Sequence, residues 1–129
     1  MIALETLNTN FFNVYYMDTQ TIAVTLTVRS LEASNGQMVK AHIVKLLEVH
    51  KLKNVMIDIA QVKSVDSFGL ASVISIYKYC AKQGGNIALV QPTSVVLQLF
   101  EVTRISKMIN IFDTPQEAND FFSIAPFNK

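Results

Sequence analysis

Two short apolar runs, Val55-Met56-Ile57-Asp58-Ile59 and Ile87-Ala88-Leu89-Val90, constrain this chain more than any other feature of its sequence. Each is too short for a buried helix and lacks the alternation of a strand with one wet face. Runs of this kind are strands buried on both faces, and such strands belong to parallel sheets covered by helices. Parallel neighbours need long crossovers, so helical periodicity should lie between the runs.

It does. From residue 37 to 50, Val39, Ile43, Leu46 and Leu47 recur at helical spacing, with Lys40, His42, Lys45 and Glu48 between them. Ser34, Asn35 and Gly36 break the chain before this helix. A second helix is predicted over 67–83, with Leu70, Val73, Ile74, Tyr77 and Ala81 as its apolar stripe. Gly84-Gly85 should end it by supplying positive φ, with Lys82 suited to the negative end of the dipole. After the run at 87–90 and Pro92, Ser94 is the expected cap of a third helix carrying Val96, Leu97, Leu99 and Phe100. A strand near 109–112 follows, and Thr114-Pro115-Gln116-Glu117 then combines an N-cap, a proline at N1 and a glutamate at N3, starting a helix that runs to about Phe122.

Upstream, residues 14–17 and 21–28 read as a hairpin around Asp18, Thr19 and Gln20, with Ile22, Val24, Leu26 and Val28 alternating against Thr21, Ala23, Thr25 and Thr27. The order β-β-α-β-α-β-α-β-α defines an α/β fold: a small mixed sheet with a parallel centre, an N-terminal hairpin and about four helices. Residues 1–129 read as one domain with its core over 14–122, and the first dozen and last six residues are expected to be less ordered.

Composition narrows the function. A formal net charge of +1 provides no field to gather nucleic acid or anionic lipid. A lone cysteine, Cys80, fits a core thiol in a reducing compartment and so a cytoplasmic protein. The start of the chain lacks the pattern of a signal peptide, and no apolar stretch approaches the roughly 20 residues of a membrane span. A mean hydropathy of +0.31 is attributed to doubly buried strands and an apolar partner surface.

The segment most able to carry function is Val62-Lys63-Ser64-Val65-Asp66-Ser67-Phe68-Gly69, which leaves a central strand and starts a helix. Loops at the C-terminal ends of parallel strands are where α/β folds place their sites. Asp66 or Ser67 also makes an N-cap, a structural role compatible with a functional one. Asp58, eight residues before Asp66, the Asp66-Ser67 pair, Gly69 and the apolar helix behind it resemble the STAS family of anti-sigma-factor antagonists. Gly84-Gly85, Leu89-Val90-Gln91-Pro92 and Phe112-Asp113-Thr114-Pro115-Gln116-Glu117 extend the resemblance over 24–122.

The resemblance implies a small sheet with helices and no active site or cofactor. It implies a partner-switching protein that binds an anti-sigma factor or serine kinase and is reset by a serine phosphatase; the high apolar fraction separately leaves room for a homodimer face. By position, Ser67 matches the phosphoacceptor, Asp66 the acid before it, Gly69 the glycine of close helix packing and Asp58 the strand-end acid. Glu32, in Arg29-Ser30-Leu31-Glu32, stands where the family often has Gly-x-Leu-Asp, so the acid is kept and the glycine lost. Phe68 replaces a common serine or threonine. It reads either as an inward-packing ring or as an exposed contact leading into Leu70, and with Glu32, Asp66, Ser67 and Gly69 it completes the expected partner-binding set.

An enzyme would need more than this. His42 and His50 read as solvated residues of the first helix, and the sequence has no Gly-x-Ser-x-Gly elbow, Walker loop or metal-ligand spacing. The alternative that survives is a STAS subunit of a lipid-transport or stressosome-like complex, which would keep Ser67 near an interface without sigma-factor control.

Overall fold

The computed structural model describes residues 11–124. Its strands are β1 (Phe12–Tyr16), β2 (Thr21–Leu26), β3 (Ser30–Leu31), β4 (Asn54–Asp58), β5 (Ser64–Val65), β6 (Ile87–Val90) and β7 (Asn110–Phe112). Its helices are α1 (Gly36–Val49), α2 (Ser67–Lys82), α3 (Ser94–Val102) and α4 (Pro115–Ile124), with one 3-10 turn at Ile105–Lys107. The main sheet has five strands in the order β1-β2-β4-β6-β7, antiparallel only at the β1-β2 hairpin. The α/β fold with a parallel centre is therefore the one expected from the sequence.

Strand alternation divides the core into two. Ile22, Val24 and Leu26 of β2, Val55 and Ile57 of β4, and Ile87 and Leu89 of β6 share a core with residues of α1, α2 and α3. Ala23, Met56, Ala88 and Val90 face the other way and are covered by Ala118 and Phe122 of α4. The doubly buried runs thus have the physical cause inferred for them, helices on both faces.

Both strong capping signals form. Thr114 Oγ1 accepts from the Glu117 N–H at 3.2 Å while Glu117 Oε1 accepts from the Thr114 N–H at 3.2 Å, a reciprocal capping box. Gly84 adopts φ +79°, and the Gly85 N–H reaches the Cys80 carbonyl at 2.8 Å while the Gly84 N–H reaches that of Ala81 at 3.1 Å. Those two bonds form a Schellman motif.

Several expectations are corrected. β1 begins at Phe12 and the ring is fully buried, so this residue belongs to the core; residues 1–10 and 125–129 lie outside the described residues. β2 ends at Leu26, two residues early. The cap of α3 is Thr93, whose hydroxyl accepts from the Val96 N–H at 3.3 Å, because the extended backbone after Pro92 places Thr93 just outside the helix and Ser94 inside it.

The α2 stripe is also rotated from its expected position. Gly69, Ser72, Val73, Ile76 and Cys80 are buried, Leu70, Ile74 and Tyr77 only partly, and Ala81 is exposed. Hydrophobicity ranks Leu and Tyr above Gly and Ser, whereas close packing selects the face with the smallest residues. His42 is exposed and bonds its Nδ1 to the Met38 carbonyl at 2.9 Å, whereas His50 is half-buried.

Cys80 is a core thiol, and burial raises its pKa to about 12 from 9.0. The unfolded chain therefore loses this proton first, and stability should fall as pH rises above about 9 toward 12, because the folded state binds more protons there. Urea melts across that range should show the decline, and Cys80→Ala should flatten its thiol component. A separate melt of Ile57→Ala should show a loss of about 2–5 kcal/mol, as expected for truncating a fully buried strand residue.

Candidate functional site

The site is built at the C-terminal ends of the parallel strands by an element too short to see in the sequence. Ser30 and Leu31 pair in parallel with Ser64 and Val65 as a separate two-stranded sheet. The Ser30 and Ser64 hydroxyls lie 2.8 Å apart, and the Asp66 N–H continues the ladder to the Leu31 carbonyl at 3.1 Å. This pairing brings the segment that carries Glu32 against the segment that carries Asp66 and Ser67.

Asp66 is the N-cap of α2. Its Oδ1 accepts from the Gly69 N–H at 2.9 Å, and its Oδ2 accepts from the Ala33 N–H at 3.4 Å, so one carboxylate spans the helix start and the neighbouring loop. Gly69 has to be glycine because a Cβ there would collide with the Leu31 carbonyl oxygen. Leu70 is half-buried, and its N–H bonds the Asp66 carbonyl at 2.9 Å.

With Asp66 already capping, Ser67 is the first helical residue and is exposed, and among the described residues its hydroxyl has no hydrogen-bond partner. Phe68 is 62% exposed, which decides between its two readings in favour of an outward ring. Beside it lies a shallow cleft of about 110 Å³ lined by Ala33, Gln37, Phe68, Ala71, Ser72 and Ser75. The Phe68 ring lines this cleft, and Ser67 precedes it in the first turn of α2.

Glu32 is half-buried and accepts from the Ser34 hydroxyl at 2.9 Å, while its N–H donates to Asn35 Oδ1 at 3.0 Å. Asp58 stands apart in function: Oδ1 accepts from the Ala60 N–H at 2.9 Å and Oδ2 from Gln91 Nε2 at 2.7 Å. It braces the ends of β4 and β6, and among the described residues it has no hydrogen bond to Glu32, Asp66 or Ser67.

Sequence reasoning missed Ala33 in the β3-α1 loop and Gln37, Ala71 and Ser75 on the helices, because small or polar residues outside the core carry no signal. It also missed the groove of about 370 Å³ between β5 and α3, where Val95 and Val102 are exposed. No cluster of three or more His, Cys, Asp or Glu able to hold a metal exists among the described residues, and no helix there is long and apolar enough to cross a membrane.

A small mixed sheet with helices on both faces and an exposed serine at the Asp66-capped start of α2 defines a recognisable class of α/β domain. Residues 18–118 match the STAS domain family, and the chain belongs to it. A protein of Thermotoga neapolitana named as an anti-sigma factor antagonist homolog is 24% identical over 103 residues, covering 80% of this chain and 91% of its own length. The crystal structure of a Thermotoga maritima protein named as an anti-sigma factor antagonist superposes with a TM-score of 0.74 at 25% identity, covering 87% of this chain and 94% of that one. The Bacillus cell fate determinant SpoIIAA in its phosphorylated form shares the fold, with a TM-score of 0.66 at 16% identity over 84% of this chain and 96% of that one.

Two substitutions test the geometry of the α2 start in urea melts. Gly69→Ala should cost about 1–3 kcal/mol, because the added methyl forces α2 away from β3. Asp66→Ala should cost about 1 kcal/mol, the ordinary loss of an N-cap.

Proposed function

We propose that this protein is a non-enzymatic, phosphorylation-regulated binding switch of the anti-sigma-factor-antagonist type. It docks a partner anti-sigma factor or serine kinase through Glu32, Asp66, Ser67, Phe68 and Leu70, while Gly69, expected in that set, is buried against the Leu31 carbonyl and acts by positioning α2; the partner is released when Ser67 is phosphorylated. The observation that carries this reading is an exposed serine hydroxyl, without a hydrogen-bond partner among the described residues, at the first position of α2 and followed by an exposed Phe68. A kinase can reach such a hydroxyl without unfolding the chain. The names of the Thermotoga relatives support the same class of activity.

The physics separates the response of the fold from that of the complex. A phosphate on Ser67 adds about −1.5 to −2 charges and several strong acceptors. The helix N-terminus favours an anion by about 0.3–1 kcal/mol, so α2 tolerates the modification. A docked partner does not, because the dianion must be desolvated against Asp66 and Glu32 within the contact. Phe68 supplies the apolar anchor that such interfaces concentrate their energy on. Binding is therefore lost while the domain stays folded, and a serine phosphatase restores it.

Titration calorimetry with the cognate anti-sigma factor, using bare and Ser67-phosphorylated protein, tests the switch. Affinity should drop at least tenfold, about 1.4 kcal/mol or more, with no loss of melting temperature. Equal affinity for the two forms would rule the switch out. Phe68→Ala should weaken binding by about 1–2 kcal/mol while leaving stability within about 0.5 kcal/mol, since its ring is largely solvent-exposed.

A further inference from the structure

The loop between β3 and α1 contains the sequence's single Asn-Gly pair, Asn35-Gly36, and the fold requires both members. Asn35 occupies the N-cap position of α1 but makes no side-chain cap. Its amide turns back instead, accepting from the Glu32 N–H through Oδ1 at 3.0 Å and donating from Nδ2 to the Ser30 carbonyl at 2.8 Å. Only a side chain with an acceptor and a donor on one planar group closes the loop in this way. Gly36 is fixed by the α1-α2 contact, where a Cβ would come within 2.7 Å of Ser72 Oγ. The same missing Cβ that permits this packing leaves the Gly36 nitrogen unhindered as a nucleophile toward the Asn35 side chain.

We infer that Asn35-Gly36 is a latent deamidation site, held shut by the hydrogen bonds of the β3-α1 loop and released when that loop opens. In the reaction the Gly36 nitrogen gives up its proton and attacks Asn35 Cγ. A C–N bond forms, the Cγ–Nδ2 bond breaks, and Nδ2 leaves as ammonia with the proton. Water then opens the succinimide at either carbonyl, leaving aspartate or its β-linked isomer at position 35. In the closed loop all three participants are engaged elsewhere: Nδ2 on Ser30, Oδ1 on Glu32, and the Gly36 N–H on the Glu32 carbonyl at 2.6 Å. Asn35 ψ, at −18°, belongs to the start of α1 and would have to change for ring closure.

The product cannot remake the loop. An aspartate keeps the acceptor for the Glu32 N–H but turns a second oxygen toward the Ser30 carbonyl, replacing a hydrogen bond with repulsion. The β-linked isomer also lengthens the backbone between positions 35 and 36. Ser30 pairs with Ser64 and Leu31 receives the Asp66 N–H, so the damage falls on the junction that holds the α2 start. Either product adds a negative charge beside Glu32.

Peptide-mapping mass spectrometry of the intact chain aged in mildly alkaline buffer, with and without urea, tests the inference. Asn35 should convert about tenfold or more faster in urea than in the folded protein, because a closed loop reacts only through its open fraction. Asn54, Asn86 and Asn110, each followed by a β-branched residue, should stay intact in both and serve as internal controls. Equal rates with and without urea, or no conversion in urea, would overturn it. Amide exchange on Asn35→Asp, and on aged native protein separated by its added charge, should be about tenfold faster at Glu32, whose N–H bonds the residue 35 side chain in the loop, and at Asp66, whose N–H bonds Leu31 across the junction. Unchanged exchange at both positions would refute the stated consequence.

Discussion

The carbonyl of Leu31 and the backbone of Gly69 sit so close that no side-chain atom fits between them, and this approach organises the upper end of the molecule. It sets α2 against the short β3-β5 pair, directs the Asp66 carboxylate across to Ala33, and leaves Ser67 and Phe68 on the outside. A second tight point, Gly36 against Ser72, holds α1 to α2 below it. Backbone contacts of this kind tolerate little movement, so the surface they carry is pre-organised. Pre-organisation suits the proposed switch, in which the surface would change its charge without changing its shape.

Asp66 has to be read together with Ser67. Were Ser67 the cap, its hydroxyl would be spent on the helix, and modifying it would disturb the end of α2. The preceding acid takes that role through Gly69, so the hydroxyl has no structural duty. Asp58 shows the same division of labour: its two oxygens brace Ala60 and Gln91, where Gln91 has φ +58°, and it steadies the strand ends from which the site loops depart. The loop opposite depends on Asn35 and Gly36, which fit its geometry at the cost of chemical lability.

How much of this was legible in the sequence depends on whether a residue's role is local. The strand read at 55–59, the Thr114-Glu117 capping box and the Gly84-Gly85 terminator act through neighbours a few positions away; the last two form as read, and the strand forms one residue earlier, over Asn54–Asp58. The buried stripe of α2 did not follow from hydrophobicity, because Gly69 and Ser72 are buried for their small size while Tyr77 stays partly exposed. β3 and β5 were invisible: two-residue strands have no periodicity, and only their pairing across 34 positions makes them strands. The start of β1 was misplaced because Phe12 is buried by elements elsewhere in the chain.

The sequence by itself determined the α/β class, the order of its main elements, the helix starting at Asp66-Ser67 and the core thiol, because periodicity, caps and burial preference are encoded over short spans. Tertiary structure alone decided that Glu32 and Asp66 share one junction, that Phe68 points outward and that Asn35 folds back on Ser30. Those facts depend on which distant backbones come into contact, and the contacts are chosen by close packing summed over the whole core.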